Sequence, residues 1–244
     1  MEAEYDSIAE EYDATRDSAT AQELDALRTA LAGCKSIIDV GVGTGRFAKP
    51  LSDLGFDVTG VDVSRRMLLK AREKGLDRLF LADAYSLPFA DKKFDAAIIV
   101  HVLHVVVDWI TVVREIGRVT RGPVMSILRV QGSEQTVRQP SSATPPASRV
   151  RTQHRMWQNE LELKARVPPV KLERIRDEII SIPVTDAIRR LQAKRSAGAQ
   201  MVPPEIQQQM MERILSMAAG QSVQRSIVED LAVWNASDLQ TLTP

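Results

Sequence analysis

Along the first half of the chain the apolar positions switch between two rhythms. Ile37, Ile38 and Val40 form a short β-branched run, the signature of a strand buried on both faces. Phe47, Ala48 and Leu51 then return at helical spacing. Residues 56–62 alternate and predict a second strand, after which Ser64 is placed to cap a helix that runs to Lys74 and stops at Gly75. Residues 79–82 predict a third strand, 94–100 a fourth buried on both faces, and 122–130 a fifth. Between the last two, residues 109–119 read as a helix with Ile110, Val113 and Ile116 turned inward. Strands alternating with helices predict an α/β fold: a doubly wound, mostly parallel sheet with right-handed crossovers.

Two helices precede this core. Tyr5, Ile8 and Tyr12 share one face of a helix over 5–16, and Leu24, Leu27 and Leu31 mark an amphipathic helix over 19–32 that ends at Gly33. Beyond residue 130 the pattern changes. Residues 131–148 are rich in Pro, Ser and Thr and read as a loop. A helix over 150–165 would bury Met156, Trp157 and Leu161; a strand follows over 171–180. Residues 183–193 and 203–218 read as helices that each open on proline, and 223–234 as a last strand. The expected organisation is therefore N-terminal helices (1–34), an α/β core (35–130), a helical region with one strand (131–223) and a final strand with its tail (224–244).

Composition narrows the classes. Lysine plus arginine and aspartate plus glutamate both number 32, so no global charge argues for nucleic acid or a membrane surface. Cys34 is the single cysteine, which excludes an internal disulfide and a cysteine-cluster zinc site. The acidic N-terminus lacks the profile of a secretion signal, and no apolar run approaches the length of a membrane span. A soluble cytoplasmic protein is the expectation. The charge is nevertheless uneven: residues 1–30 hold nine acids and two bases, whereas 131–176 hold nine bases and four acids.

The candidate chemistry starts where the first strand ends. A glycine turn between a strand and a helix allows a sharp bend and close approach to a ligand, and the helix N-terminus offers N–H groups to an anionic group. A dinucleotide fingerprint needs glycine at its first, third and sixth positions, but the sixth here is Arg46. What stands instead is D-x-G-x-G-x-G over Asp39, Gly41, Gly43 and Gly45. Asp62 lies 21 positions after Gly41 at the tip of the second strand, where an acid can accept both hydroxyl protons of a ribose. Val63 and Met67 are placed to flank an adenine ring, with core packing the alternative. The glycine turn, Asp62 and Asp83 follow strands one, two and three, so all three open on the same sheet edge.

The D-x-G-x-G-x-G run resembles motif I of the class I S-adenosylmethionine-dependent methyltransferases. The Tyr-Asp pairs at 5–6 and 12–13 are similar to the N-terminal helix of the type 11 and ubiquinone/menaquinone-biosynthesis members of that family. The resemblance covers roughly residues 5–130 and implies S-adenosylmethionine as cofactor. It implies that Tyr5 and Tyr12 lie on a lid over it, that Asp83 accepts from the adenine amino group while the Ala84 N–H faces a ring nitrogen, and that Val100 borders the site. It further implies a sheet closed by an antiparallel final pair, with insertions there building the acceptor pocket.

Methyl transfer from a sulfonium asks the protein chiefly for alignment and exclusion of water, and for a base only where the acceptor must lose a proton. His101, at the end of the fourth strand, is the candidate for orienting or deprotonating an acceptor; contributing only backbone to the methionine end is the alternative. His104 reads as a helix-start packing residue and His154 as a solvated one. Arg46 reads as a solvated side chain, with steering toward the cofactor carboxylate the alternative. A metal site from His101, His104 and Asp108 would need a further partner, and no metal is expected. The expected function is methylation of a small or lipid-like acceptor. Methylation of RNA ranks below it, because phosphate binding needs a clustered basic surface and the charge here is balanced. A binder of the cofactor without transferase activity, acting as a regulator, is the reading from another class.

Overall fold

The computed structural model describes residues 18–129, 158–185 and 222–243. Strands β1 (Ser36–Val40), β2 (Asp57–Asp62), β3 (Leu79–Leu81), β4 (Ala96–Ile98), β5 (Pro123–Arg129), β6 (Lys171–Pro183) and β7 (Ser222–Asn235) form one sheet in the order β3-β2-β1-β4-β5-β7-β6. The pairs β3-β2, β2-β1, β1-β4 and β4-β5 are parallel. The helices among the described residues are α1 (Ala21–Ala30), α2 (Ala48–Asp53), α3 (Arg65–Glu73), α4 (Trp109–Val119), α5 (Gln158–Arg166) and α6 (Ala236–Gln240). The expected doubly wound α/β sheet is present, and its order reverses between β1 and β4, where such sheets place ligands.

Two compact units divide the chain: 1–128, 144–176 and 229–244 form the larger; 129–143 and 177–228 the smaller. The described residues of the smaller are mainly the continuing lengths of β6 and β7. In the larger, β1 distributes its side chains to both sheet faces, as a period of two requires. Ile38 and Val40 join a cluster with Trp109, Val113, Ile116 and Trp234, while Ile37 joins Leu27, Leu31, Leu51 and Met125.

Local chemistry sets the element ends. Thr20 caps α1 through a reciprocal box with Glu23, and Ser64 caps α3 by accepting from the Met67 N–H at 3.2 Å. No helix crosses between β3 and β4. The connection is clamped instead by Arg118 of α4, whose guanidinium donates to the carbonyls of Leu87 and Phe89 and to Glu115 and Asp91. Glu115 in turn accepts from the Leu87 N–H at 2.7 Å. Its bond to Arg118 holds the Glu115 carboxyl below the usual range.

Several expected details shift. In α4 the fully buried residues include Val112 and Val113, while Ile110 is half-buried. In α5 Leu161 is 47% exposed, and Glu160 and Leu163 point inward instead. Glu160 and Leu163, three positions apart, share the inward face. β6 continues through Pro183, so the helix expected from 183 starts after it. The helices expected over 5–16 and 203–218 and the loop at 131–148 lie outside the described residues.

Gly117 faces the backbone of α6: a Cβ there would lie 2.7 Å from the Ala236 carbonyl oxygen and 2.8 Å from the Gln240 nitrogen. In a free helix Gly→Ala stabilises by about 1 kcal/mol. Here Gly117→Ala is expected to destabilise by about 1–3 kcal/mol, because backbone atoms must separate. Chemical denaturation measures the sign, and a stabilised variant would contradict this packing.

Candidate active site

The carboxyl ends of β1, β2 and β4 and the loop after β3 border one cleft, open to solvent. Gly41 and Gly43 line it from the turn after β1, and Asp62, Val63 and Met67 from the passage between β2 and α3. Asp83, Ala84 and Tyr85 line it after β3, and Val100, His101 and His104 after β4. Eight of the residues expected from sequence at the cofactor thus share one surface.

The glycine turn differs from expectation in where its N–H groups go. Those of Gly41 and Val42 both donate to the Val61 carbonyl, at 2.8 and 2.9 Å, and that of Gly45 to Val42. The Gly43 N–H donates to Asp62 Oδ2 at 2.8 Å. Gly41, Val42 and Gly43 fasten the turn to β2 and Gly45 closes it on itself, so these donors do not face outward as an anion cradle. The following helix has only six residues, and Phe47 at its start makes no side-chain cap. Glycine is required at 41 on two counts: φ is +76°, and a Cβ would lie 2.2 Å from Val102 Cγ2.

Asp62 joins three elements. While Oδ2 takes the Gly43 N–H, Oδ1 accepts from the Ser64 N–H at 2.9 Å, so one carboxylate at the tip of β2 holds both the turn and the start of α3. Asp39 sits beneath, 4% exposed on β1, and does not line the cleft. Burial, and secondly the Asp62 charge, push its carboxyl up to about 7. Asp83 Oδ1 accepts from the Tyr85 N–H at 3.1 Å, which shapes the turn after β3.

Two sequence candidates have other duties. Gly45 faces Leu76 and Ala71, with a Cβ position 2.7 Å from Leu76 Cδ1, and it does not reach the cleft. Its place in the motif is set by packing α3 against the turn. Arg46 is neither solvated nor turned toward a ligand: it donates to both oxygens of Glu23, at 2.9 and 3.2 Å, tying α1 to the glycine turn. Tyr5, Tyr12 and His154 lie outside the described residues.

Beyond β4, His101 adopts φ +59°, a conformation that non-glycine residues rarely occupy and that recurs at functional sites. The chain then enters a short 3₁₀ turn, Leu103–Val105. Tyr85 Oη accepts from the N–H groups of Val107 and Asp108, at 3.1 and 3.2 Å. From α5, Asn159 Nδ2 donates to the carbonyls of Leu103 and Val106, at 2.7 and 3.0 Å. Next to it, Glu160 Oε1 stands 3.6 Å from His104 Nδ1. Among the described residues, no group of three or more His, Cys, Asp or Glu side chains is arranged to hold a metal ion.

His104, expected to be a packing residue, therefore borders the cleft together with His101. Tyr85, Asn159 and Glu160 were not legible as site residues. The available signal for Glu160 was an acid sharing a helical face, at a spacing of three, with Leu163.

Residues 38–123 match the family model described as a methyltransferase domain. A demethylmenaquinone methyltransferase of Renibacterium salmoninarum is 35% identical over 104 residues, which are 40% of this chain and 44% of that protein. A phosphatidylethanolamine N-methyltransferase of Cereibacter sphaeroides is 40% identical over 92 residues, 35% of this chain and 45% of that protein. The chain thus spans about half the length of the curated relatives it matches. A crystal structure from Thermotoga maritima, described as an S-adenosylmethionine-dependent methyltransferase and possible histamine N-methyltransferase, superposes with a TM-score of 0.53. It covers 96% of this chain and 99% of that one at 17% identity, a likeness of fold. Sheet order, glycine turn and matched sequence agree: residues 38–123 of this chain form a class I methyltransferase domain of the type 11 family.

Proposed function

We propose that the cleft binds S-adenosylmethionine and that the protein transfers its methyl group to a small, lipid-like acceptor. The observation that carries this reading is the donor set of the cleft. Two carboxylates, Asp62 and Asp83, stand at adjacent strand tips, and no lysine or arginine is among the described lining residues. The turn's N–H groups are directed into the protein. Such a surface repels a pyrophosphate and suits a neutral nucleoside that carries a positive sulfonium.

In this reading Asp62 accepts from the ribose hydroxyls with its remaining lone pairs, and Asp83 from the adenine amino group. Val63 and Met67 flank the ring. Bound S-adenosylmethionine supplies a methyl group already activated on sulfur. The protein's part is to hold the acceptor in line and keep water out. The lipid-like acceptor is favoured by the relatives named for demethylmenaquinone and phosphatidylethanolamine. Val105 and Val106, on the cleft wall beside the histidines, offer it apolar contact.

S-Adenosylmethionine and S-adenosylhomocysteine are expected to raise the melting temperature in a concentration-dependent way, and NAD to leave it unchanged. Equal stabilisation by NAD would overturn the cofactor reading. Methyl-labelled S-adenosylmethionine, offered with the lipid, small-molecule and RNA fractions of a cell extract, is expected to label the lipid or small-molecule fraction. Label confined to RNA would reassign the acceptor.

Asp62→Ala is expected to weaken S-adenosylhomocysteine binding by about 1.5–3 kcal/mol in calorimetry, the size of lost hydrogen bonds to a charged group. Unchanged affinity would remove Asp62 from the site.

The raised Asp39 carboxyl also has a pH consequence. The folded chain keeps this proton to about pH 7, whereas the unfolded chain releases it near 3.8. Its stabilising effect is complete below the lower value and is lost as pH rises through the upper one. Between pH 5 and 8 the wild type is expected to lose about 2–3 kcal/mol through this group, a loss that Asp39→Asn abolishes. Denaturation midpoints of both proteins at the two pH values provide the check, and parallel losses would refute it.

A further inference from the structure

We infer that His104 is a proton acceptor for the methyl acceptor, and that Glu160 is the positioning residue that fixes its tautomer. The inference rests on the methyl-transfer reading above and adds that the acceptor gives up a proton when it is methylated.

The argument begins with Glu160. Its residue is 5% exposed, and charged carboxylates are seldom buried without a partner because removal from water is costly. Its Oε2 makes no hydrogen bond. Its Oε1 faces His104 Nδ1 at 3.6 Å, with the two side chains only 7% and 11% exposed. That separation is one that a small closing movement shortens to a hydrogen bond, as occurs when catalytic groups tighten around a substrate. A helix that carried only packing duties would place an apolar residue here, as it does at Leu163, buried one turn further on.

The surroundings hold the imidazole in place. Asn159, adjacent to Glu160, donates to the carbonyls on either side of the 3₁₀ turn. Tyr85 anchors the same segment from across the cleft. His101, Asp62, Asp83 and Tyr85 also line the cleft with His104, and the His101 ring centroid lies 6.3 Å from that of His104. Behind His104, Glu160 places a carboxylate at Nδ1.

A carboxylate beside Nδ1 favours the tautomer with the proton on Nδ1, which makes Nε2 the basic nitrogen. His104 lines the cleft, and in this inference Nε2 is the atom that takes the proton. The proton leaves the oxygen, nitrogen or carbon of the acceptor as that atom's electron pair turns to the methyl carbon. It rests on Nε2, with the imidazolium charge offset by Glu160, and passes to water through the open side of the cleft after the product leaves.

The test uses the whole chain and two independent readouts. Long-range ¹H–¹⁵N correlation spectra at neutral pH are expected to show His104 as the Nδ1–H tautomer in the wild type. Glu160→Leu is expected to switch it to the Nε2–H tautomer that histidine side chains favour in water. Glu160→Gln, which retains an acceptor oxygen, is expected to keep the wild-type signature. Calorimetry with S-adenosylhomocysteine, expected within about threefold of wild type for each variant, reports that the fold and cofactor site are intact. With whichever extract fraction takes label from the wild type, His104→Gln is expected to lose at least about 100-fold in rate.

An Nε2–H tautomer in the wild type, or a tautomer indifferent to Glu160→Leu, would overturn the pairing. A full rate in His104→Gln would overturn the proton-acceptor role. Failure of the wild type to bind S-adenosylhomocysteine would instead overturn the function on which the inference rests, and is read separately from the tautomer.

Discussion

The carboxylate of Asp62 is the joint on which this site depends. Its two oxygens accept from the Gly43 and Ser64 N–H groups, so the end of β2, the glycine turn and the first turn of α3 move as one body. A charged acceptor bonded to backbone donors is among the stronger interactions available at a half-buried position. The turn can leave its helix short because its donors are tied to β2 and do not have to organise a ligand. Asp39 beneath completes the arrangement: burial favours its neutral form, so two carboxyl groups are accommodated at neighbouring strand ends without two full charges.

Selectivity follows from the same joint. In a dinucleotide site the turn and helix N-terminus present N–H groups to phosphate. Here the corresponding groups at 41, 42, 43 and 45 are already bonded within the protein. The cleft is left with acids at its mouth and apolar walls between them. On the proposed function, four backbone hydrogens bonded within the protein disfavour a phosphate-bearing nucleoside at this turn.

Much of this was legible in the sequence because it is local. The strand β1, the cap at Ser64, the helix Trp109–Val119 and the acid at the tip of β2 each follow from residues within a few positions of one another. What sequence reading missed is set by contacts across long stretches of chain. Arg46 meets Glu23 of α1, a partner no pattern near the glycine turn announces. Gly45 reads as part of a ligand motif but serves helix packing, since its neighbour Leu76 lies beyond β2 and α3. Apolarity favours turning Leu161 of α5 inward, whereas the helix turns Leu163 into the core and Glu160 toward His104, 56 residues away.

The Arg118 clamp gives the cleft an unusual kind of wall. The stretch between β3 and β4 has no helix of its own and carries Asp83 and Tyr85, yet it is held by a guanidinium that reaches two carbonyls and two carboxylates at once. A guanidinium does not titrate under any condition in which the protein is folded. The stretch that carries Asp83 and Tyr85 is therefore fastened by a cation that keeps its charge, while Asp39, buried beneath the cleft, holds its proton to about pH 7. Across the neutral range, acidity alters the charge on the first strand and leaves this wall fastened.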